Sequence, residues 1–261
     1  MSDQAFAGQA QAPRVGAWVT LDAPVATEQI ARAGFDYVCV DGQHGLLGYE
    51  GMLNALIAVT AGGSMPFARV SENSAAEIGR VLDAGARGVI VPLIDTAEEA
   101  RAAAEAARYP TSAGRRSYGP MRLGPHFGAT PSDTDAGVTV LAMIETRGGL
   151  EQLDAILDVE GVDGVYVGPY DLSLALGAAM PFEEVILPEL DATLGRIAVA
   201  AHERGKIAGV HCADGTQAAV RAAQGFTFIT AATDIASLRA DVGAQLALAR
   251  GLRSAPQVRA Y

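Results

Sequence analysis

The sequence predicts a single-domain (β/α)8 TIM barrel, on three observations. Eight short apolar runs alternate with Ala-rich helical stretches along the 261 residues. Those runs are continuous, as in strands buried on both faces of a parallel sheet. Eight strand–helix units in about 240 residues is the size of a closed α/β barrel. The competing fold, an open doubly wound sheet, carries a Gly-rich phosphate loop after its first strand. Here that strand ends Val19-Thr20-Leu21-Asp22, with no such loop.

The expected strands, in order, are Arg14–Thr20, Tyr37–Asp41, Pro66–Val70, Gly88–Pro92, Val138–Glu145, Gly164–Gly168, Ile207–His211 and Phe226–Thr230. The clearest helix is Thr96–Arg108, with Thr96 as N-cap, acids in its first turn and Arg at its end. The others are Ala23–Ala33, Glu50–Thr60, Ala75–Ala84, Leu150–Leu157, Glu189–Arg204, Thr216–Ala223 and Ile235–Arg250. Gly34, Gly85, Gly205 and Gly225 each close a helix, because glycine supplies the left-handed C-terminal cap. Two connections are long, Tyr109–Gly137 and Pro169–Pro188, and long loops in a compact domain usually serve function or assembly. Residues 1–13 read as a loose leader, lacking the basic start and apolar stretch of a signal peptide. The barrel is expected over residues 14–261.

Composition narrows the function classes. Half the residues are hydrophobic and 19% are charged, a balance that rules out disorder over most of the chain. No apolar run reaches the ~20 residues of a membrane span. A net charge of −11 argues against nucleic acid and anionic membrane as partners, since both need a basic surface. Cys39 and Cys212 each lie in an apolar run and read as small buried hydrophobes, which fits a reducing cytoplasm.

Barrel enzymes place their chemistry at the C-terminal strand ends. Polar residues at those ends are Asp41 and His44, Arg69, Glu145, Asp171 and His211. Glu145 and Asp171 follow neighbouring strands, and two hard oxygen ligands suit Mg²⁺, Mn²⁺ or Co²⁺. The alternative is a pair of solvated acids, or a salt bridge to Arg147. His44, three residues after Asp41, has the setting of a general base oriented by an acid. Its alternative is a loop histidine bonded to backbone. Arg69 suits a carboxylate or a developing enolate, or else an ion pair with Asp41. His126 and His202 read as surface residues. The cluster Arg115–Arg122 suits an anion or another subunit.

Asp41-Gly42-Gln43-His44-Gly45, Arg69, Met143-Ile144-Glu145-Thr146 and Gly168-Pro169-Tyr170-Asp171-Leu172-Ser173 resemble, in order and spacing, the HpcH/HpaI aldolase family. The resemblance runs from about Val15 to Leu248. It implies a metal-dependent (class II) aldolase that cleaves or forms 4-hydroxy-2-oxo acids through a pyruvate enolate and an aldehyde. It implies a divalent metal held by Glu145 and Asp171, His44 as base with Asp41 as its partner, and Arg69 stabilising the enolate. Asp83 matches a family acid that completes the histidine network. The implied assembly is a hexamer, a trimer of dimers. Lys206, the sole lysine, falls at the start of the seventh strand, the wrong face for a Schiff-base mechanism. Met143 and Tyr170 depart from the residues common in the family, and His211 lies in the substrate region, so the aldehyde partner stays open. Two other readings are a malyl- or citramalyl-CoA-type lyase, with Arg115–Arg122 as its phosphate groove, and a barrel without catalysis that serves as a binding protein.

Overall fold

The computed structural model describes residues 12–122 and 130–252. The expected leader (apart from residues 12 and 13) and His126 lie outside them. The chain begins β1 (Arg14–Val19), α1 (Pro24–Arg32), β2 (Tyr37–Asp41), α2 (Tyr49–Gly62), β3 (Met65–Arg69), α3 (Ala75–Asp83), β4 (Gly88–Val91) and α4 (Ala97–Ala107). It continues through α5 (Pro131–Ala136), β5 (Thr139–Ile144), α6 (Arg147–Glu151), α7 (Leu153–Leu157), β6 (Gly164–Val167) and α8 (Pro169–Ala175). The last elements are α9 (Leu187–Glu203), β7 (Ile207–His211), α10 (Gly215–Ala223), β8 (Phe228–Thr233) and α11 (Asp234–Ala249). The eight strands pair in parallel, each with the next, and β8 returns to β1 to close the barrel.

The continuous apolar runs have the burial they implied: every residue of β2, β4, β5 and β6 is buried. One side of each strand packs under the helices and the other fills the barrel. Tyr37, Phe67 and Phe228 form the interior floor, with Tyr37 stacked on Phe228 at 3.7 Å between centroids. Gly16 makes that floor possible, because a Cβ there would meet the Tyr37 ring at 2.2 Å. Burying each such side chain contributes about 1.5–3 kcal/mol.

Local signals hold where backbone chemistry sets them. Thr96 and Glu99 form a reciprocal capping box at the start of α4. Gly34, Gly85, Gly205 and Gly225 all adopt positive φ. The differences from expectation are local. The expected helix Leu150–Leu157 is two short helices, α6 and α7, that meet at Gln152. The long connections hold α5 and α8, each opening with Pro in its first turn. The last strand starts two residues later than expected and runs on to Thr233. The carboxylate of Asp234 then accepts the Thr20 and Leu21 amides and the Thr20 hydroxyl, tying the final strand–helix corner to the end of β1.

Candidate active site

Strand alternation carries the interior face upward to the barrel mouth. On β2 the inward residues are Tyr37, Cys39 and Asp41. On β3 they end in Arg69, on β5 the same parity leads to Met143 and then Glu145, and on β7 it ends at His211. The polar residues at the strand ends are therefore the top layer of the barrel interior.

Asp41 and Arg69 face each other in the β2–β3 register. Arg69 donates through Nε to Asp41 Oδ1 at 2.8 Å and through Nη2 to Oδ2 at 2.5 Å. The Trp18 indole N–H adds a bond to Oδ2 at 3.1 Å, and the backbone amides of Gln43 and His44 reach Oδ1. Burial acts to raise the Asp41 carboxyl, but the Arg69 guanidinium and these donors outweigh it and hold it below the usual range. Arg69 correspondingly rises: burial lowers it, and Asp41 more than compensates. Of the two readings of Arg69, the ion pair with Asp41 is present. Its Cζ also lies over the Trp18 ring at 5.1 Å.

The expectation that Asp41 orients the His44 ring needs correction. Asp41 accepts the backbone N–H of His44 at 3.3 Å, and its remaining capacity is taken by Arg69, Trp18 and Gln43. The His44 side chain is exposed at the rim. Asp83 also lies elsewhere. It ends α3, at the N-terminal end of the barrel strands, and accepts from Arg116 Nη2 at 2.6 Å. A single chain does not bring Asp83 to His44.

Glu145 follows β5 and is buried; Asp171 stands exposed in the first turn of α8. Burial pushes the Glu145 carboxyl up to about 7, with the Leu93 amide opposing and the nearby Asp171 charge adding to the rise. Leu93 N–H donates to Glu145 Oε1 at 3.0 Å. Leu93 has φ of 55°, a left-handed conformation that a leucine adopts at a cost of about 1 kcal/mol. Gly168 gives the other oxygen room, since a Cβ there would meet Glu145 Oε2 at 2.7 Å. No side-chain pattern marks Leu93, whose backbone amide does the work; Trp18 is marked by its parity with Gly16 on β1.

Arg147 donates to the Ala175 carbonyl, so the expected alternative of a Glu145–Arg147 bridge is not the arrangement here. Among the described residues no three His, Cys, Asp or Glu side chains gather as a metal cluster. Glu145 and Asp171 offer two nearby carboxylates. A buried acid near pH 7 beside a second acid is a setting that a hard divalent cation fits.

Other expectations resolve simply. Cys39 and Cys212 are buried free thiols. His202 is exposed and bonds the Gly225 carbonyl. Lys206 donates to the Val159 and Val162 carbonyls, on the barrel end away from the mouth. Within the basic cluster, Arg116 is committed to Asp83, Arg115 lies near Glu105, and Arg122 donates to the Ala84 carbonyl. No helix of the described residues is long and apolar enough to cross a membrane.

Known proteins share this architecture. A hydroxypyruvate/pyruvate aldolase of Rhizorhabdus wittichii is 39% identical over 92% of this chain and 95% of its own. A 5-keto-4-deoxy-D-glucarate aldolase of Salmonella paratyphi C is 32% identical over 88% of this chain and 90% of its own. The crystal structure of an HpcH/HpaI aldolase/citrate lyase family protein from Burkholderia cenocepacia superposes with a TM-score of 0.83 at 27% identity, covering 91% of this chain and 95% of that one. The profile described as HpcH/HpaI aldolase/citrate lyase matches residues 14–242, and the chain belongs to that family of lyases.

Proposed function

We propose that this protein is a class II aldolase that cleaves or forms 4-hydroxy-2-oxo acids through the enolate of pyruvate or a related 2-oxo acid. The observation that carries the reading is the buried Glu145 carboxyl, near Asp171 and Arg69 at the barrel mouth. Breaking the carbon–carbon bond leaves negative charge on the 2-oxo fragment, and that charge needs a Lewis acid and a cation nearby. Glu145 and Asp171 would hold the divalent metal, Mg²⁺, Mn²⁺ or Co²⁺. When bound, it supplies Lewis acidity to the 2-oxo oxygen.

The chain's own residues do the rest. Arg69, held in place by Asp41 and Trp18, presents fixed positive charge to the carboxylate and enolate. His44, exposed at the rim with a free imidazole among the described residues, takes the proton from the aldol hydroxyl or the 2-oxo methyl, directly or through water. Lys206 is bonded to backbone at the far end, which agrees with a mechanism that needs no Schiff base. The buried free thiols agree with a reducing cytoplasm.

In the Arg115–Arg122 segment, the groove of the CoA-thioester reading, Arg116 pairs with Asp83 and Arg122 donates to the Ala84 carbonyl, which favours the aldolase reading. We further propose that the chain self-associates through α11, as a hexamer of the kind the resemblance implies. Leu238, Val242 and Leu246 are each about half exposed on it at four-residue spacing, and Ala247 is its one buried side chain.

The test is substitution of the two carboxylates. Glu145→Ala and Asp171→Ala each abolish cation-dependent cleavage of a 4-hydroxy-2-oxo acid. Activity retained in both contradicts the proposal. A calorimetric titration with no divalent-cation binding would instead favour a barrel that serves as a binding protein.

A further inference from the structure

Inside the barrel, four polar side chains form a line that the proposed chemistry does not use. Tyr37 Oη lies 3.0 Å from Thr230 Oγ1, and Thr230 Oγ1 lies 2.7 Å from Tyr166 Oη. Tyr166 Oη is 3.5 Å from His211 Nδ1. Tyr37, Thr230 and Tyr166 are buried, while His211, at the end of β7, is partly exposed. Burial and the Arg69 charge keep the imidazole neutral, lowering it to about 4.

Burial holds both phenols protonated. Both phenols close on the Thr230 hydroxyl, which can donate to one and accept from the other. We assign the order in which Thr230 donates to Tyr166 and Tyr166 donates to the neutral ring at His211 Nδ1. That order makes Nδ1 an acceptor and puts the ring proton on Nε2. Nε2 has no partner among the described residues, and the side chain is partly exposed at the mouth end of β7. Trp18 fixes the ring edge-on at 5.1 Å, and the same indole bonds Asp41 and carries Arg69 over its face. His211 is thus a rigid neutral donor in the same layer as the Asp41–Arg69 pair. A purely structural histidine would account for Nδ1 and leave Nε2 idle.

We propose that His211 is the specificity-determining residue for the aldehyde half of the reaction, its Nε2–H donating to the hydroxyl of a 2-hydroxyaldehyde. The inference rests on the aldolase reading and deepens it. The carboxylate is anionic and the 2-oxo oxygen becomes so in the enolate, and both go to Arg69 and the cation site. A neutral donor suits a neutral oxygen, and with pyruvate as the 2-oxo acid the aldehyde half is the part that offers one. A site built to bond a hydroxyl discriminates against the analogue that lacks it.

The test compares pyruvate addition to glycolaldehyde and to propanal, which has a methyl in place of the hydroxyl. The enzymes are wild type, His211→Leu, His211→Gln and Tyr166→Phe, each also assayed for deuterium exchange into the pyruvate methyl. The ratio of kcat/KM for glycolaldehyde over propanal falls about tenfold in His211→Leu. It is largely kept in His211→Gln, which retains an N–H donor, and falls partway in Tyr166→Phe, which loosens the tautomer. Methyl exchange stays at the wild-type rate in all three. Should His211→Leu fail to fold, ¹⁵N spectra of the wild-type histidines decide, with the Nε2–H tautomer expected for His211. An unchanged ratio with exchange intact, or the Nδ1–H tautomer, overturns the role of His211 alone. Absence of exchange in the wild type overturns the aldolase reading beneath it.

Discussion

Arg69 grips Asp41 through two hydrogen bonds, of 2.8 and 2.5 Å, straight across the β2–β3 register and under the barrel mouth. Both side chains are almost wholly out of solvent. A buried pair of this kind gains little net stability from being present, but losing one partner strands a charge. Arg69→Met is therefore expected to destabilise the fold by about 3–5 kcal/mol in urea denaturation. Asp41→Asn combined with Arg69→Met recovers part of that loss. Additive effects of the two single substitutions would show that they do not act as a pair.

Glu145 sets a pH dependence opposite to that of a salt-bridged acid. Its folded value of about 7 lies above the ordinary 4.5, so its neutral form is favoured by folding. The contribution is complete below pH 4.5 and is lost as pH rises through 7. In chelator, Glu145→Gln is expected to be more stable than wild type at pH 8 by up to about 3 kcal/mol, with the difference vanishing near pH 4.5. Divalent cation should close the gap at pH 8 by binding wild type alone. Equal stability of the two proteins in chelator at both pH values contradicts this account of Glu145.

Leu93 holds its amide toward Glu145 by adopting positive φ, and its side chain is mostly exposed, so little packing opposes a change. Asn tolerates that conformation and β-branched residues resist it. Thermal melts should rank Leu93→Asn above wild type and Leu93→Val below it, each by about 1 kcal/mol. The reverse order would mean that the backbone is unstrained there.

Self-association through α11 is expected to depend on its apolar face. Light scattering at micromolar concentration should give an oligomer for wild type and a monomer for the double variant Val242→Asp, Leu246→Asp. A monomeric wild type would remove α11 as an assembly surface.

The barrel was legible because strands buried on both faces must be apolar throughout, and glycines needed at positive φ mark the helix ends. Asp41, Arg69 and Glu145 were legible for the same reason: each closes or follows an apolar run, and strand parity turns all three inward. What spacing does not encode is which side chain engages which. Asp41 and His44 are three residues apart, yet the Asp41 carboxylate turns to Arg69 across the sheet. Asp83 follows Arg69 by one helix, and a helix returns the chain to the other end of the barrel, where Arg116 meets it. Leu93 was hidden because its role belongs to a backbone amide, and the hydroxyl line behind His211 because its members come from four different strands.

The central claim is that the mouth formed by Arg69, Glu145, Asp171 and His44 stabilises a 2-oxo acid enolate. Proton NMR of pyruvate in deuterated buffer tests it most directly, with Mg²⁺, Mn²⁺ or Co²⁺ added or a chelator present. The account predicts methyl exchange that requires the cation and disappears in His44→Ala and Glu145→Ala. Exchange that is absent with all three cations, or that persists in chelator and in both variants, would contradict it.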